Sequence, residues 1–243
     1  MVDIFLAGGI IMYYYYDGSY FIYMIVSLLI AGFAQFKVKS AFNKYSKIKC
    51  NKNITGEVSA KTVLEHNNVF DVSIGTVRGF FTDFFDSRNK SISLSDEVYS
   101  KATIASVSVA AHEAGHAVQN DQGYLALKIR QKLAPITQLC SNLAMPLIFI
   151  GFSSLPLHSN FILKLGIAMF TVAVLFQIVT LPVEFNASKR ALKSIKETQI
   201  LTEDEISGAK EVLTAAAFTY VASTVTSIMS LIRLLFLADR RRR

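Results

Sequence analysis

Long hydrophobic runs separated by polar stretches dominate the pattern along this chain. Residues 20–36, 133–157 and 161–183 are each apolar over the roughly 17–25 residues that a helix needs to cross a bilayer. A fourth run occupies residues 212–238. The pattern therefore predicts about four transmembrane helices, with the second and third joined by a short loop into a hairpin.

The polar stretch between the first two runs has the pattern of a small mixed domain. Thr55 can cap a helix that ends near His66. Residues 69–95 are rich in β-branched and aromatic residues and are interrupted by glycines, which predicts two or three short strands. Ser95 and the two acidic residues after it favour the start of a helix over about residues 100–120.

A second polar stretch, residues 184–211, is helical in pattern. Pro182 is expected near the first turn of its helix, and Thr202 and Glu205 have the spacing of a capping box at the start of a further helix. We therefore divide the chain into five segments: an N-terminal membrane anchor (1–36), a polar portion with a small sheet (37–132), a transmembrane hairpin (133–183), cytoplasmic helices (184–211), and a C-terminal apolar helix with a basic tail (212–243).

The composition is that of a membrane protein. Hydrophobic residues make up 52% of the chain and charged residues 18%, against about 25% charged residues in a typical soluble domain. These values exclude a disordered chain, a collagen-like chain and an ordinary soluble enzyme. The fold class that we expect is a mainly α-helical membrane protein with a small β-sheet.

The net charge of +7 comes from lysines and arginines that flank the hydrophobic runs. This placement indicates the positive-inside bias of a plasma-membrane protein rather than a nucleic-acid partner. Because basic residues crowd after the first run, before the second and after the third, residues 37–132 and 184–211 should face the cytoplasm. The four arginines at 240–243 would lie outside if the last run crosses the bilayer, against the same rule, so whether it crosses stays open at this point.

The segment that carries chemistry is His112-Glu113-Ala114-Gly115-His116. On a helix, positions i and i+4 differ by about 40° in direction, so both imidazoles project from one face and can reach a single Zn²⁺ ion. Glu113 lies about 100° from His112 and can face a water molecule on the metal without binding the metal itself. This H-E-x-x-H pattern predicts a zinc-dependent hydrolase with Glu113 as general base.

Two histidines do not complete a catalytic zinc site, which needs three protein ligands and one open position. Of the other histidines, His66 is expected at the surface and His158 in the outer loop of the hairpin. Glu184 is the better third ligand, because the hairpin returns the chain to the membrane face of the histidine helix. A carboxylate at a membrane edge is also costly unless it is paired or ligating. It could instead be an ordinary carboxylate at a helix start.

Three residues that follow Glu184 are candidates for supporting roles. Ser188 is four positions further on and shares its face, so its hydroxyl could hydrogen-bond to a metal ligand. Asn186 and Arg190 could bind carbonyl groups of a substrate. All three could also be solvated helix residues without a role in the chemistry.

Four segments together resemble a known family: residues 34–47, 81–95, 109–119 and 176–193. They are similar to the neutral zinc metallopeptidases of bacterial membranes, the YugP type, and more distantly to HtpX-type and prenyl-protein-type peptidases. In the latter two, a membrane hairpin separates H-E-x-x-H from an E-x-x-A-D-x-x-A helix, whose counterpart here is Glu184, Ala187, Ser188 and Ala191, with serine replacing the acid. The resemblance implies a zincin-like core around one Zn²⁺ ion, Glu184 as third ligand, and protein or peptide substrates.

The expected reaction is hydrolysis of a peptide bond. Zn²⁺ held by His112, His116 and Glu184 would lower the pKa of its water toward about 7. Glu113 would take the proton and pass it to the leaving amine. A strand at residues 90–95 could pair with an extended peptide if it lies at a sheet edge.

Two other classes of function fit the same motif. One is a zinc-binding membrane scaffold or chaperone-like factor without turnover. The other is a zinc transporter with H-E-x-x-H inside a membrane helix, although residues 102–118 are small rather than bulky. A span there would also move the basic residues at 128–132 to the outside. Loss of cleavage with retention of zinc in a Glu113→Gln variant would indicate the peptidase.

Overall fold

Seven helices and three strands make up the part of the chain that this computed structural model describes, residues 18–153 and 159–240. The helices are α1 (Gly18–Tyr45), α2 (Gly56–His66), α3 (Asp96–Tyr99), α4 (Ile104–Asp121), α5 (Leu125–Phe152), α6 (Ser159–Thr198) and α7 (Glu203–Arg240). The strands are β1 (Ser73–Val77), β2 (Phe84–Asp86) and β3 (Ser91–Ser95). The predicted fold class, mainly helical with a small sheet, is confirmed.

Four of the helices are long and apolar enough to cross a membrane. They include the segments Phe21–Tyr45, Leu125–Phe152, Asn160–Thr198 and Glu203–Arg240. Large apolar side chains remain exposed along them, among them Leu28, Leu29, Phe149, Phe161 and Phe236. Such a surface is unfavourable in water and suits contact with lipid tails, in agreement with the prediction of about four spans.

The chain divides into two compact units. The mixed unit comprises Ala34–Lys128 and Thr180–Tyr220, and the helical unit comprises the described parts of Met1–Phe33, Ile129–Val179 and Val221–Arg243. The mixed unit contains the sheet, the short helices and a large apolar core. The helical unit has a smaller apolar cluster that is formed by Ile148, Phe152, Leu163, Ile167, Leu234 and Leu237.

The sheet of the mixed unit has the strand order β1-β3-β2. Strand β3 pairs in parallel with β1 and antiparallel with β2, and its Ile92 and Leu94 are fully buried. The hypothesis that residues 90–95 form an edge strand open to a peptide is therefore wrong. Both sides of that strand already carry hydrogen bonds to its neighbours in the sheet.

Two predicted helix starts are confirmed by their capping bonds. Thr55 Oγ1 accepts a hydrogen bond from the Val58 N–H at 3.3 Å, and α2 follows it directly. The Glu205 carboxylate accepts one from the Thr202 N–H at 2.8 Å, and α7 begins between them. Each bond satisfies a backbone donor that the first turn of a helix leaves without an intrahelical partner.

The histidine-bearing helix begins later than predicted. Ser95 opens only the single turn of α3, and α4 starts at Ile104, where Thr103 Oγ1 accepts a hydrogen bond from the Ser106 N–H at 3.1 Å. Almost every residue of α4 is then buried, and it packs against α2, whose Ser59 hydroxyl donates to the Val107 carbonyl at 2.9 Å. This packing fixes the direction in which α4 presents its polar side chains.

Helix α6 continues without a break through Pro182. The expectation that a new helix starts near this proline is therefore wrong. Proline removes one backbone donor and usually bends or ends a helix, but Val183, Glu184 and Ala187 on its C-terminal side are all buried. Packing of this segment outweighs the local cost, as it commonly does in apolar helices.

Candidate metal centre

Helices α4 and α6 bring three possible metal ligands together in the mixed unit. Glu184 Oε2 lies 3.3 Å from His112 Nε2 and 3.5 Å from His116 Nε2. One ligand atom from each of the three residues lies within 4.8 Å of the other two. The structure thus places the predicted third ligand, 68 positions beyond His116 in the chain, beside both histidines.

These distances fit a zinc ion. When zinc is bound tetrahedrally at about 2.0–2.1 Å, neighbouring ligand atoms lie about 3.3–3.4 Å apart. Glu184 is only 2% exposed, and a buried carboxylate is costly unless positive charge and hydrogen bonds compensate it. Two imidazoles and one carboxylate form a donor set typical of catalytic zinc sites.

A glycine inside the motif allows the two helices to approach this closely. A Cβ atom added to Gly115 would lie 2.7 Å from the Ala187 carbonyl oxygen on α6. That contact is shorter than side chains tolerate, so only glycine permits this separation of the helices. Ala114, next to Gly115, and Ala187 are also small residues and are fully buried.

The second ring nitrogen of each histidine is held by a side chain from the same two helices. Nδ1 of His112 lies 3.2 Å from the Ser188 hydroxyl and would donate to it when Nε2 binds a metal. Nδ1 of His116 donates to Gln119 Oε1 at 3.1 Å. Such bonds fix the tautomer and the ring orientation that a metal ligand needs. Ser188 therefore lies where a supporting residue was predicted.

Gln119 is the residue that sequence reasoning missed. Its side chain is fully buried and its Nε2 donates to the Val183 carbonyl at 2.8 Å and to Asn186 Oδ1 at 2.9 Å. Gln119 lies seven positions after His112 and three after His116, which is a same-face spacing on a helix. This spacing is the feature of the sequence from which a role for Gln119 could have been predicted.

Asn186 and Arg190 lie beside this network. The Arg190 Nε donates to Asn186 Oδ1 at 2.7 Å, and its guanidinium also donates to Gln122 Oε1. Both side chains are thus engaged with other residues of the mixed unit. Their proposed contact with substrate carbonyls stays a prediction.

Glu113 is not one of the three possible ligands, and it lines a cavity together with His112. It is 8% exposed, and burial raises the pKa of its carboxyl, although the two neighbouring histidines act in the opposite direction. For His116, burial opposes protonation, but the hydrogen bond to Glu184 and the nearby carboxylates outweigh it and raise the pKa. A carboxyl with a raised pKa beside possible metal ligands is typical of a general base.

The other histidines do not join the cluster within the described residues. His66 is exposed at the end of α2, as predicted, and its Nε2 lies 3.0 Å from Glu197 Oε2. His158, which was expected in the hairpin loop, lies outside the described residues.

Sequence comparison agrees with this geometry. Residues 20–239 match the model of a family described as "Putative neutral zinc metallopeptidase". The chain belongs to this family. It is also 42% identical, over 223 residues, to the "Putative membrane protease YugP" of Bacillus subtilis (strain 168), with 90% of this chain and 98% of that protein covered. No solved structure matches the chain.

Membership in this family confirms the resemblance found in the sequence. The matched region contains α4 and, apart from one or two terminal residues, all four apolar helices, α6 among them. The family and its relative therefore support a protease role and a membrane location, and the family description supports zinc as the metal for the cluster of His112, His116 and Glu184.

Proposed function

We propose that this protein is a membrane zinc peptidase that hydrolyses peptide bonds of protein or peptide substrates. The observation that carries the proposal is the close approach of His112 Nε2, His116 Nε2 and Glu184 Oε2, with Glu113 on the same helix facing a cavity. A zinc ion in this site would polarise a water molecule and the scissile carbonyl group.

The chain's own residues would supply the remaining steps. Gln119 and Ser188 hold the histidine rings so that Nε2 of each faces Glu184. Glu113 takes a proton from the attacking water and delivers it to the nitrogen of the leaving amine. Its buried position suits this work, because a carboxyl whose pKa is raised accepts a proton more readily near neutral pH.

The decisive experiment compares two variants with wild type in detergent. Glu113→Gln should abolish cleavage of a proteome-derived peptide library and retain about one zinc per chain, measured by atomic absorption. Glu184→Ala should lose both cleavage and the bound zinc. Glu197→Ala is a matched control, because Glu197 also lies beside a histidine, but at the surface. This variant should keep both its zinc and its cleavage activity.

Other outcomes would point elsewhere. A wild-type protein that binds zinc but cleaves no peptide would support the scaffold or chaperone-like alternative, and zinc flux into sealed vesicles would support a transporter. Unchanged zinc content in Glu184→Ala would remove the third ligand from the proposal.

We also propose that the mixed unit faces the cytoplasm, as the distribution of lysines and arginines favours, and that the five-segment division separates membrane anchors from site-bearing parts. Asn89 is exposed in the turn between β2 and β3. A membrane-impermeant maleimide should therefore label an Asn89→Cys variant only after cells are lysed. Cys50 and Cys140 are buried, so their own labelling by the maleimide should be weak. Labelling in intact cells would show that the mixed unit faces the outside of the cell and would contradict the proposed orientation.

A further inference from the structure

A cavity of about 140 Å³ adjoins the candidate metal centre within the mixed unit. Its polar lining residues include His112, Glu113 and a second carboxylate, and its aromatic lining residues are Phe42, Phe81 and Tyr220. That second carboxylate is Asp83, which the peptidase proposal does not use. Most of the remaining lining is aliphatic, so an acid there requires an explanation.

Only one oxygen of Asp83 is accounted for by the fold. Oδ1 accepts hydrogen bonds from the Ser95 N–H at 2.7 Å and from the Ser95 hydroxyl at 3.0 Å. Oδ2 takes no part in either bond. Burial raises the pKa of the Asp83 carboxyl, and the bonds from Ser95 only partly oppose this. Asp83 is half-buried, and a carboxylate in such a position is stabilised by a cation that approaches from the cavity.

The loop that carries Asp83 has a strained backbone at the cavity wall. Phe81 has a φ of 57°, in the left-handed region that bulky residues rarely adopt. Its ring packs edge-on against Phe42, with the ring centroids 4.8 Å apart. Strain of this kind persists where the surroundings enforce it, and it is concentrated at ligand sites.

The charge balance of the site also favours a cation. A zinc ion carries two positive charges, which Glu184 and Glu113 would neutralise, so Asp83 leaves one unbalanced negative charge. Among the described residues that line the cavity there is no lysine or arginine. The three aromatic residues that line the cavity would attract a cation further.

Building on the proposed peptidase function, we propose that Asp83, with Phe42, Phe81 and Tyr220, forms a subsite for a positively charged group of the substrate. The group is an ammonium or guanidinium, which a peptide offers either at its N-terminal amine or on a lysine or arginine side chain. The enzyme would then prefer substrates that place such a group near the cleaved bond.

Binding of four hydroxamates distinguishes the N-terminal amine from the side chain as the source of the positive charge, and it requires no substrate cleavage. They are lysine hydroxamate, norleucine hydroxamate and the Nα-acetyl derivative of each. The hydroxamate group binds zinc in all four, while the α-ammonium and the side-chain ammonium are present or absent independently. Binding to the zinc-loaded full-length protein in detergent is measured by calorimetry.

In wild type, removing the ammonium that Asp83 binds should weaken binding about tenfold or more, as expected for a hydrogen bond between charged groups. Asp83→Asn, which can still accept the bonds from Ser95, should weaken only the ligands that carry this ammonium, again about tenfold. Nα-acetyl-norleucine hydroxamate should bind both proteins within about twofold. Asp86→Asn is the matched control, because Asp86 is in the adjacent strand and its carboxylate accepts bonds from the turn that follows. This variant should bind all four ligands as wild type does.

Equal weakening of all four ligands by Asp83→Asn would show a purely structural role and overturn the subsite. Equal affinity of wild type for all four ligands would overturn it as well. If zinc-loaded wild type binds none of the hydroxamates, the zinc lacks the open position that the proposed peptidase needs, and the subsite fails with it.

Discussion

The mixed unit and the helical unit each contain a close helix–helix contact at a glycine, but the two contacts bury different kinds of side chain. In each, two helices come into contact at a glycine: a Cβ on Gly115 would lie 2.7 Å from the Ala187 carbonyl oxygen, and one on Gly151 would lie 2.5 Å from Leu163 Cα. In the helical unit this crossing buries apolar groups such as Leu163 and Ile148. In the mixed unit it brings buried polar groups of two helices within ligand distance.

The two units also differ in what surrounds them. Apolar side chains such as Leu29 and Phe149 are exposed along the helical unit, which suits contact with lipid tails. The mixed unit keeps its large apolar core inside and can therefore hold a few buried polar residues, each with hydrogen-bond partners. Close helix packing alone does not produce a site; it does so where buried polar groups are hydrogen-bonded toward a common point.

The largest expected effect comes from widening these two crossings. Gly115→Val should separate α4 from α6, so that the purified protein holds well below one zinc per chain. Gly151→Val should keep its zinc, because Gly151 lies outside the unit that holds the ligands. It should instead lower the thermal unfolding temperature in detergent, since overpacking of this kind typically costs about 1–3 kcal/mol. Equal zinc loss in both variants would contradict the comparison.

A smaller effect is expected from a glutamine in each unit. Gln119→Ala removes the partner of His116 Nδ1 and the bond to the Val183 carbonyl, so zinc affinity should fall about 10–100-fold. In the helical unit, Gln177 Oε1 accepts a bond from the Ser223 hydroxyl at 3.2 Å. Gln177→Ala should cost only about 0.6 kcal/mol of stability and leave zinc affinity unchanged.

Competition with a fluorescent zinc chelator gives these affinities, and thermal unfolding in detergent gives the stabilities. Unaltered zinc affinity in Gln119→Ala would mean that the bond to His116 does not orient the ligand.

The two units also differ in how well the sequence predicts them. Hydropathy alone finds the four apolar helices, because lipid requires nothing more specific than length and apolar character. The motif itself shows that His112 and His116 share a face, since that follows from helix geometry. Glu184 could be proposed from the hairpin and the family resemblance, but its contact with both histidines depends on packing far along the chain.

What the sequence did not predict follows from tertiary contacts. The central position of β3 depends on which strands pair with it, and the alternation of residues does not specify that order. The continuous α6 depends on burial around Pro182 rather than on local preference. Asp83 is similar: a single acid among aromatic residues forms no recognisable motif, and only the fold places it in the same cavity as Glu113.

The smallest expected effect is a change in pH dependence. A general base works only when deprotonated, so kcat/KM should fall as pH drops through the pKa of Glu113. Burial is the main cause that raises this pKa, and the charge of Asp83 also raises it. Asp83→Asn should therefore move the acidic limb of the profile to lower pH, and this direction is the same whatever charge the metal adds.

The matched control for this shift is again Asp86→Asn, which removes an equal charge from an exposed turn of the mixed unit. Its profile should coincide with that of wild type, because exposed charges are screened by water and salt. The measurement is kcat/KM against pH on a neutral, N-acetylated peptide selected from the library, so that substrate charge does not contribute. An unshifted limb in Asp83→Asn would mean that Glu113 is not the group that titrates in the profile, or that the charge of Asp83 does not reach it.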